Sequence, residues 1–400
     1  MLSIEKVQHA KEILDEIVIK TDLIYAPDFS KSNKVYLKAE NLQITGSFKV
    51  RGAYYKISQL SEEQRKKGII ACSAGNHAQG VALAAQKLGI KSTIFIPSTA
   101  PISKIEATRK YGAEIVLVDG VYDDAYDKAI EYQKDTDGVF IHPFDDTDII
   151  AGQGTVALEL LEQLPDLDAV VVPIGGGGLA SGIAYTIKTL KPNCKVYGVQ
   201  ASGAASMYYS LENSSRTNLS QVSTFADGTA VKNPGESTFN FCTKYIDKVI
   251  LMTDDEIASA ILSLLETHKL ITEGAGALAV AAAIFDKIPS GGRKVACVLS
   301  GGNIDVNILS RVINRGLLKA GRLSDLTIEM IDKPGQLKEV SAIISDLGAN
   351  VIRVHHNQGG ENTDINGCYL KISMETKNIQ HLFEIKNAIK NAGYRLIEGL

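Results

Sequence analysis

The sequence is organised around residues 37–53, which read LKAENLQITGSFKVRGA. The alternation of apolar and polar side chains over residues 35–39 predicts a β-strand that leads into this stretch. A polar turn follows, and the pattern becomes helical from Phe48, so that Lys49 lies where the turn enters the helix. The same order of strand, turn and helix recurs over most of the chain and indicates an α/β fold.

Lys49 is the first candidate catalytic residue. The start of a helix supplies unpaired backbone N–H groups and a partial positive charge, which together lower the pKa of a lysine placed there. A neutral amine is the form that condenses with a carbonyl group to give a Schiff base. Considered alone, Lys49 is better explained as an exposed lysine at a helix N-terminus, because lysines are mostly exposed. Motifs elsewhere in the chain reverse that preference.

Two glycine-containing turns follow other predicted strands. Residues 73–77 (SAGNH) combine small residues, which let a ligand approach the backbone, with polar side chains at Ser73, Asn76 and His77. An anion-binding turn at the carboxyl edge of a sheet and an ordinary capped loop both explain this pattern. Residues 173–179 (PIGGGGL) place four successive glycines before a predicted helix, and their bare N–H groups are typical of a phosphate-binding loop. No Gly-Lys-Ser/Thr follows, so the loop is not of the Walker A type.

Ser300 follows the last predicted strand of this region, in the sequence SGGN. Its hydroxyl suits either a helix cap or a contact with the ring nitrogen of a ligand. The seven histidines form no HxH or HExxH pattern, and we therefore expect no catalytic metal.

The composition is that of an ordinary globular protein. Of the 400 residues, 45% are hydrophobic and 22% charged, and a net charge of −4 gives no sign of a nucleic-acid or membrane partner. No apolar run approaches the roughly 20 residues of a membrane span. The N-terminus predicts an amphipathic helix and not a signal peptide. Five scattered cysteines without CxxC spacing indicate reduced thiols, and we expect a cytoplasmic protein.

The periodicity predicts two domains. Strand and helix patterns alternate between about residues 35 and 301, which favours parallel sheets covered by helices on both faces. A break is expected at residues 316–325, and a βαββαβ order of the ferredoxin-like type follows it. The expected strands are 69–71, 93–96, 115–118, 169–174, 195–199 and 295–299 in the first region, and 326–331, 351–355, 369–374 and 394–398 in the second.

Residues 4–316 resemble the pyridoxal-phosphate enzymes of the tryptophan-synthase-β-like fold (fold type II), and among these the threonine dehydratases, or threonine ammonia-lyases. The motifs that carry this resemblance are TGSFKVRGA, ACSAGNHAQGVALAA, HPFDD, IAGQGT, VPIGGGGL, TEGAGA and LSGGNID. The tail resembles an ACT domain, a small-molecule regulatory module, with DKPGQL as its first strand-to-helix loop. The resemblance implies a catalytic domain at 1–320, with two subdomains of which the smaller spans about 45–150, and an ACT domain at 326–400.

The resemblance implies a role for each candidate residue. Lys49 would bind pyridoxal 5′-phosphate covalently, Phe48 would lie beside its ring, Asn76 would contact the ring 3′-oxygen, and Ser300 would face the pyridine nitrogen. Ser73, Asn76 and His77 would receive the substrate carboxylate. The phosphate would be held by Gly175, Gly176, Gly177, Gly178 and Leu179.

The implied reaction converts L-threonine to 2-oxobutanoate and ammonia, and L-serine to pyruvate. Lys49 would remove the Cα proton, and the cofactor phosphate would protonate the leaving hydroxyl, because no carboxylic acid in these motifs claims that role. A neutral hydroxyl at Ser300 makes the ring a weaker electron sink, which favours elimination over transamination.

Two alternatives stay open at this point. A related branch racemises serine with a second serine at the position of Ala74, and binds a divalent metal through acidic residues near Gln200 and Ser206. Alanine carries no proton to donate, and neither of the other two residues is acidic. A catalytically silent amino-acid sensor is the second alternative, against which Lys49 and the glycine loop argue.

The ACT resemblance implies regulation by an amino acid. Loop DKPGQL would meet residues Asn350 and Val351 of a neighbouring copy, so that a homodimer or homotetramer would bind isoleucine first and valine second. A nucleotide effector, and a catabolic or an isoleucine-biosynthetic role, are left open by the resemblance.

Overall fold

The computed structural model describes residues 1–358 and 366–397. The chain forms two compact units, Met1–Val306 and Asn307–Leu400, and each is described by itself. Among the described residues, no helix combines the length and the apolar character needed to cross a lipid bilayer.

The first unit alternates strands and helices. Its strands are β1 (Leu23–Tyr25), β2 (Lys34–Lys38), β3 (Ile69–Cys72), β4 (Ser92–Pro97), β5 (Glu114–Val118), β6 (Val139–Phe140), β7 (Ala169–Pro173), β8 (Lys195–Ala201), β9 (Lys248–Met252) and β10 (Lys294–Val298). Its helices are α1 (Ile4–Leu14), α2 (Lys49–Ser58), α3 (Glu62–Lys67), α4 (Asn76–Leu88), α5 (Ile102–Arg109), α6 (Tyr122–Thr136), α7 (Thr147–Gln163), α8 (Gly178–Leu190), α9 (Ser206–Glu212), α10 (Glu236–Tyr245), α11 (Asp254–Ser263) and α12 (Gly274–Ile284).

Two sheets organise this unit. The larger has the order β1-β2-β10-β7-β8-β9, in which β1 runs antiparallel to β2 and the other pairs are parallel. The smaller is fully parallel, with the order β5-β4-β3-β6. Strand β7 (AVVVP) is buried along its whole length, as expected for a strand with helices on both faces. The predicted α/β fold class is confirmed, and the strands expected in this unit agree with the observed ones to within two residues.

Helices pack on both faces of the larger sheet. On one face, residues of α7 and α8 form a core with Val170 and Val172 of β7 and Ala296 and Val298 of β10. Helix α12 contacts β7, β8 and β10, and its residues 274–283 are all buried. This helix is rich in Ala and Gly, and small side chains let it pack closely against its neighbours.

A buried ion cluster holds α2 against α7. The Arg51 guanidinium donates to both carboxylate oxygens of Glu40, at 2.7 and 2.8 Å, and to Glu159 at 2.6 Å. The Lys38 ammonium donates to the other oxygen of Glu159 at 2.5 Å. Two cations therefore face two carboxylates, which is the condition under which buried charges are tolerated. Because Arg51 follows Lys49 by two positions, the cluster also anchors the first turn of α2.

The second unit begins at the second residue of α13 (Val306–Lys319). Its other elements are β11 (Leu323–Ile331), α14 (Gln336–Asp346), β12 (Asn350–Gln358), β13 (Gly367–Glu375), α15 (Ile379–Asn391) and β14 (Arg395–Ile397). Its antiparallel sheet has the order β12-β13-β11-β14. Ile328, Leu370 and Ile372 of the sheet share a core with Val340 and Ile385 of its helices. The predicted βαββαβ order is observed after α13.

The turn between α13 and β11 lies within the break expected at residues 316–325. The structure continues helix α13 to Lys319, starts β11 at Leu323, and divides the units between Val306 and Asn307. The boundary between the compact units lies before this turn, and Gly316 is accommodated within α13. The assignment of residues 1–320 and 326–400 to catalysis and regulation stays a prediction.

Candidate active site

Four strand-to-helix turns of the first unit meet at the carboxyl ends of parallel strands, where α/β proteins bind ligands. One leads from β2 to Lys49, one from β3 to α4, one from β7 to α8, and one follows β10 at Ser300. The Phe48 N–H donates to the Ser300 carbonyl oxygen at 3.1 Å, and Ser47 pairs with Gly301. The lysine turn and the serine turn are thus joined directly.

Lys49 is half-buried at the first position of α2. Its Nζ donates to the Pro143 carbonyl oxygen at 2.8 Å and lies 5.4 Å from the centre of the Phe48 ring. Burial lowers the pKa of Lys49 to about 8, and the nearby Glu273 carboxyl opposes this effect. The helix start was expected to lower this pKa, but the main cause is desolvation of the charged amine.

Asn76 and Glu273 form a hydrogen-bonded pair beside this lysine. The Asn76 Nδ2 donates to Glu273 Oε1 at 2.6 Å, and the Asn303 Nδ2 donates to Asn76 Oδ1 at 2.7 Å. These contacts set the orientation of the Asn76 amide, whose second N–H is left for a ligand. The backbone of Glu273 also donates to the Gly301 carbonyl at 3.1 Å.

Glu273 brings a buried carboxyl group to the site and was not among the expected site residues. It is only 4% exposed, and burial, reinforced by the Asp227 charge, raises the pKa of its carboxyl to about 7. Glu273 belongs to the TEGAGA motif, but it was not predicted as a site residue. A single charged residue in a run of small apolar residues was the signal that was available.

Ser73 offers the expected hydroxyl group, whereas the His77 ring points away from the site. The Ser73 hydroxyl accepts from the Gly75 N–H at 3.2 Å. The His77 imidazole is 3% exposed and its Nε2 donates to the Ile141 carbonyl at 2.8 Å. Burial, with the Lys49 charge second, lowers the pKa of His77 to about 3, so this ring is neutral. The backbone N–H of His77 lies in the first turn of α4 and therefore has no intrahelical acceptor. This N–H is the group of His77 that can bind a ligand.

The glycine loop is packed so tightly that side chains would not fit. A Cβ at Gly176 would lie 2.4 Å from ring carbons of Phe144, and one at Gly177 would lie 2.8 Å from Cβ of Thr238. Gly177 has φ +97°, a conformation that favours glycine, and helix α8 begins at the next residue. The Thr238 hydroxyl, which sequence reasoning missed, donates to the Gly176 carbonyl at 2.6 Å.

These features fit pyridoxal phosphate. The unpaired N–H groups at the start of α8 suit the phosphate, as expected for a glycine loop at a helix N-terminus. A lysine with a lowered pKa suits the aldehyde. The oriented amide of Asn76 and the 3% exposed Ser300 offer neutral polar groups to the ring substituents. The structure therefore brings together Lys49, Asn76, the glycine loop and Ser300, while the roles of the individual residues stay predictions.

Comparison with known proteins agrees with this geometry. Residues 14–301 match the family model described as pyridoxal-phosphate dependent enzyme. The L-threonine ammonia-lyase of Thermotoga maritima is 47% identical over 398 residues, which cover 99% of each chain. Among solved structures, the processed form of threonine deaminase isoform 2 from Solanum lycopersicum has a TM-score of 0.74 at 40% identity and covers 79% of this chain and 89% of its own. Maize serine racemase has a TM-score of 0.74 at 34% identity, with coverage of 80% and 98%. The chain therefore belongs to the family of pyridoxal-phosphate dependent enzymes.

Proposed function

We propose that the protein is a threonine ammonia-lyase, which converts L-threonine to 2-oxobutanoate and ammonia and L-serine to pyruvate. The observation that carries this proposal is the amine of Lys49, whose pKa burial lowers to about 8 next to Phe48 and the Asn76–Glu273 pair. The similarity over the whole chain to a relative named L-threonine ammonia-lyase supports the choice of substrate.

Pyridoxal phosphate supplies an electron sink for the bond broken at the substrate Cα. The Lys49 amine acts as the general base that removes the Cα proton, and its lowered pKa keeps a useful fraction neutral near pH 7. The N–H groups at the start of α4 and the Ser73 hydroxyl bind the substrate carboxylate. Glu273 is a positioning residue in this proposal, because it fixes the Asn76 amide that faces the ring.

The test is ammonia release from L-threonine by the wild-type protein and by Lys49→Ala. We expect the variant to lose nearly all turnover, and borohydride to fix the cofactor to the wild-type chain alone. Lys67→Ala is the matched control, since Lys67 forms only surface ion pairs, with Glu63 and Asp137. Cofactor fixed to another lysine in Lys49→Ala would refute the assignment, and a wild-type protein without turnover would favour the silent sensor.

Serine racemisation is the second candidate, because maize serine racemase is a structural neighbour. Ala74, which packs against the core of the smaller sheet, offers no acid for the opposite face of Cα. We therefore expect L-serine to give pyruvate without D-serine, as judged by chiral chromatography after long incubation. Accumulation of D-serine would contradict the argument.

We also propose that residues 326–400 are an ACT regulatory domain of a cytoplasmic homodimer or homotetramer, and that residues 1–320 are catalytic. Support comes from the βαββαβ order, the separate core of the second unit, and a cavity of about 460 Å³ lined by residues 330–337. Gly335, with φ +96°, precedes α14 there, and the free N–H groups of the helix suit a carboxylate. The domain assignment and the oligomer rest on the family resemblance.

The proposed regulation is tested by adding isoleucine, valine and threonine in turn to the full-length protein and measuring the initial rate. An effector acts only through different affinities for more and less active states. Isoleucine should change the initial rate in the wild type, and Gly335→Asp, which adds a negative charge at the α14 start, should weaken that response without changing the basal rate. Unchanged rates with all three amino acids would leave only an oligomerisation role.

A further inference from the structure

Three side chains of metal-ligating type converge at one end of the sheet of the second unit. They are Asp332, just after β11, His356 on β12 and Cys368 on β13. The sequence shows no sign of this cluster, because its members come from three separate elements and follow no spacing typical of a metal site.

The strand register explains why they meet. His356 pairs with Leu370, and Cys368 pairs with Met330. Directly paired residues place their side chains on the same face of an antiparallel sheet, and residues two apart share a face. His356 and Cys368 therefore share a face, and Asp332 lies two positions beyond Met330 in the direction of that face.

The distances suit a metal ion. One ligand atom from each of the three residues lies within 4.8 Å of the other two, and His356 Nε2 is 3.6 Å from Asp332 Oδ1. Bonds of about 2.0–2.3 Å in a tetrahedral zinc site separate the ligand atoms by roughly 3.3–3.8 Å. Small side-chain rotations would thus bring the three ligand atoms to the separations of a tetrahedral site. The Gln358 amide donates to Oδ2 of Asp332, and such an outer contact orients a ligating carboxylate.

The cluster borders an open space. Asp332, His356 and Cys368 all line the cavity of about 460 Å³ next to the start of α14. Three protein ligands leave a coordination position for water or a small donor molecule, as in zinc sites that are not purely structural. The cavity has room for such a fourth ligand.

We propose that Asp332, His356 and Cys368 form a binding site for a divalent transition metal ion of the zinc class. A thiolate and an imidazole favour zinc or cobalt, whereas magnesium and calcium prefer oxygen ligands throughout. The thiol proton of Cys368 leaves to solvent when the metal binds. The site lies within the second unit and is independent of the proposed lyase activity.

The alternative is that a buried cysteine packs as a small apolar side chain beside a surface ion pair. The test uses the full-length protein with its cofactor, freed of metal by a chelator and kept reduced. It is titrated with Co²⁺, whose tetrahedral complexes absorb visible light, and then with Zn²⁺ as a competitor. We expect one ion per chain, displaced by Zn²⁺ and not by Mg²⁺ or Ca²⁺.

Variants identify the ligands. His356→Gln removes an exposed ligand and should not disturb folding; His355→Gln is the matched control, because His355 pairs with Lys371 and therefore lies on the opposite face of the same strand. We expect His356→Gln and Cys368→Ser to weaken Co²⁺ binding at least about 10- to 100-fold, since even outer-shell changes cost that much, and His355→Gln to leave it unchanged. Absence of a tetrahedral Co²⁺ spectrum in the wild type, or equal binding by the two histidine variants, would overturn the proposal.

Discussion

The lowered pKa of Lys49 can be tested before any turnover, through the capture of the cofactor aldehyde by the apoprotein. Only the neutral amine attacks a carbonyl, so the capture rate should rise with pH until Lys49 is fully neutral. The perturbation is Glu273→Gln, which preserves an oxygen for the hydrogen bond from Asn76 but removes the negative charge that raises the pKa of Lys49. The midpoint of the capture rate plotted against pH should therefore move to lower pH in the variant.

The size of the effect follows from the pKa of about 8, compared with the ordinary 10.5. At pH 7 about 9% of the Lys49 amine is neutral, against about 0.03% for an ordinary lysine, so capture should be roughly 300-fold faster than on an unperturbed lysine. Because burial raises the pKa of Glu273 to about 7, its carboxyl is charged only above that pH. The wild type and Glu273→Gln should consequently differ above pH 7 and converge below it.

The assay is stopped-flow absorbance after mixing apoprotein with pyridoxal phosphate between pH 6 and pH 10, a range of about two units on each side of the pKa of Lys49. Lys49→Ala should show no covalent capture. Glu106→Gln is the charge-matched control, because Glu106 is an exposed residue whose ion partner is Arg109. A wild-type capture rate that reaches no midpoint in this range, as for an amine with the ordinary pKa of 10.5, would refute the reasoning. A midpoint that rises in Glu273→Gln would refute it as well.

Two further changes test the glycine loop and the buried ions. Gly177→Ala brings a methyl group within 2.8 Å of Thr238 and should raise the cofactor dissociation constant about 5- to 150-fold, the equivalent of about 1–3 kcal/mol of overpacking. Gly89→Ala, also at positive φ but facing open space, is the control and should leave the dissociation constant unchanged. Equal effects of the two changes would contradict the proposed role of the glycine loop in cofactor binding. Arg51→Met removes the cation partner of the buried Glu40 carboxylate, while Glu159 keeps Lys38. Loss of one partner of a buried ion pair costs about 3–5 kcal/mol, which for a 306-residue unit lowers the apparent Tm by about 5–8 °C. Arg109→Met, which breaks an exposed pair, should shift Tm by less than about 2 °C at the same scan rate, and a similar shift in both variants would contradict the ion-cluster argument.

The sequence predicted the long periodic elements well and the short ones poorly. Strand β7 is a run of apolar residues ended by a glycine loop, and such a run has few other interpretations. Strands β1 and β6 have three and two residues, which is too short for any period to be recognised. Strand β9 (KVILM) was also missed, because a short apolar run does not distinguish a strand from a piece of buried helix.

Strand order and the environment of single side chains were beyond the sequence. Strand β2 lies beside β10, from the far end of the first unit, and nothing local to either strand specifies that neighbour. His77 and Glu273 illustrate the same limit at the site. One was expected to face the substrate and points into the core, and the other was passed over and lies beside Asn76.

The sequence by itself determined the alternation of strands and helices, the position of Lys49 at a helix start, the glycine loop and the ferredoxin-like order of the second unit. These depend on the residue period and on local backbone requirements, which neighbouring residues impose. The tertiary structure alone decided the pKa of Lys49, the protonation of Glu273 and the meeting of Asp332 with His356 and Cys368. Desolvation and ligand geometry are set by atoms that lie far apart in the chain and become neighbours only when the sheets are assembled.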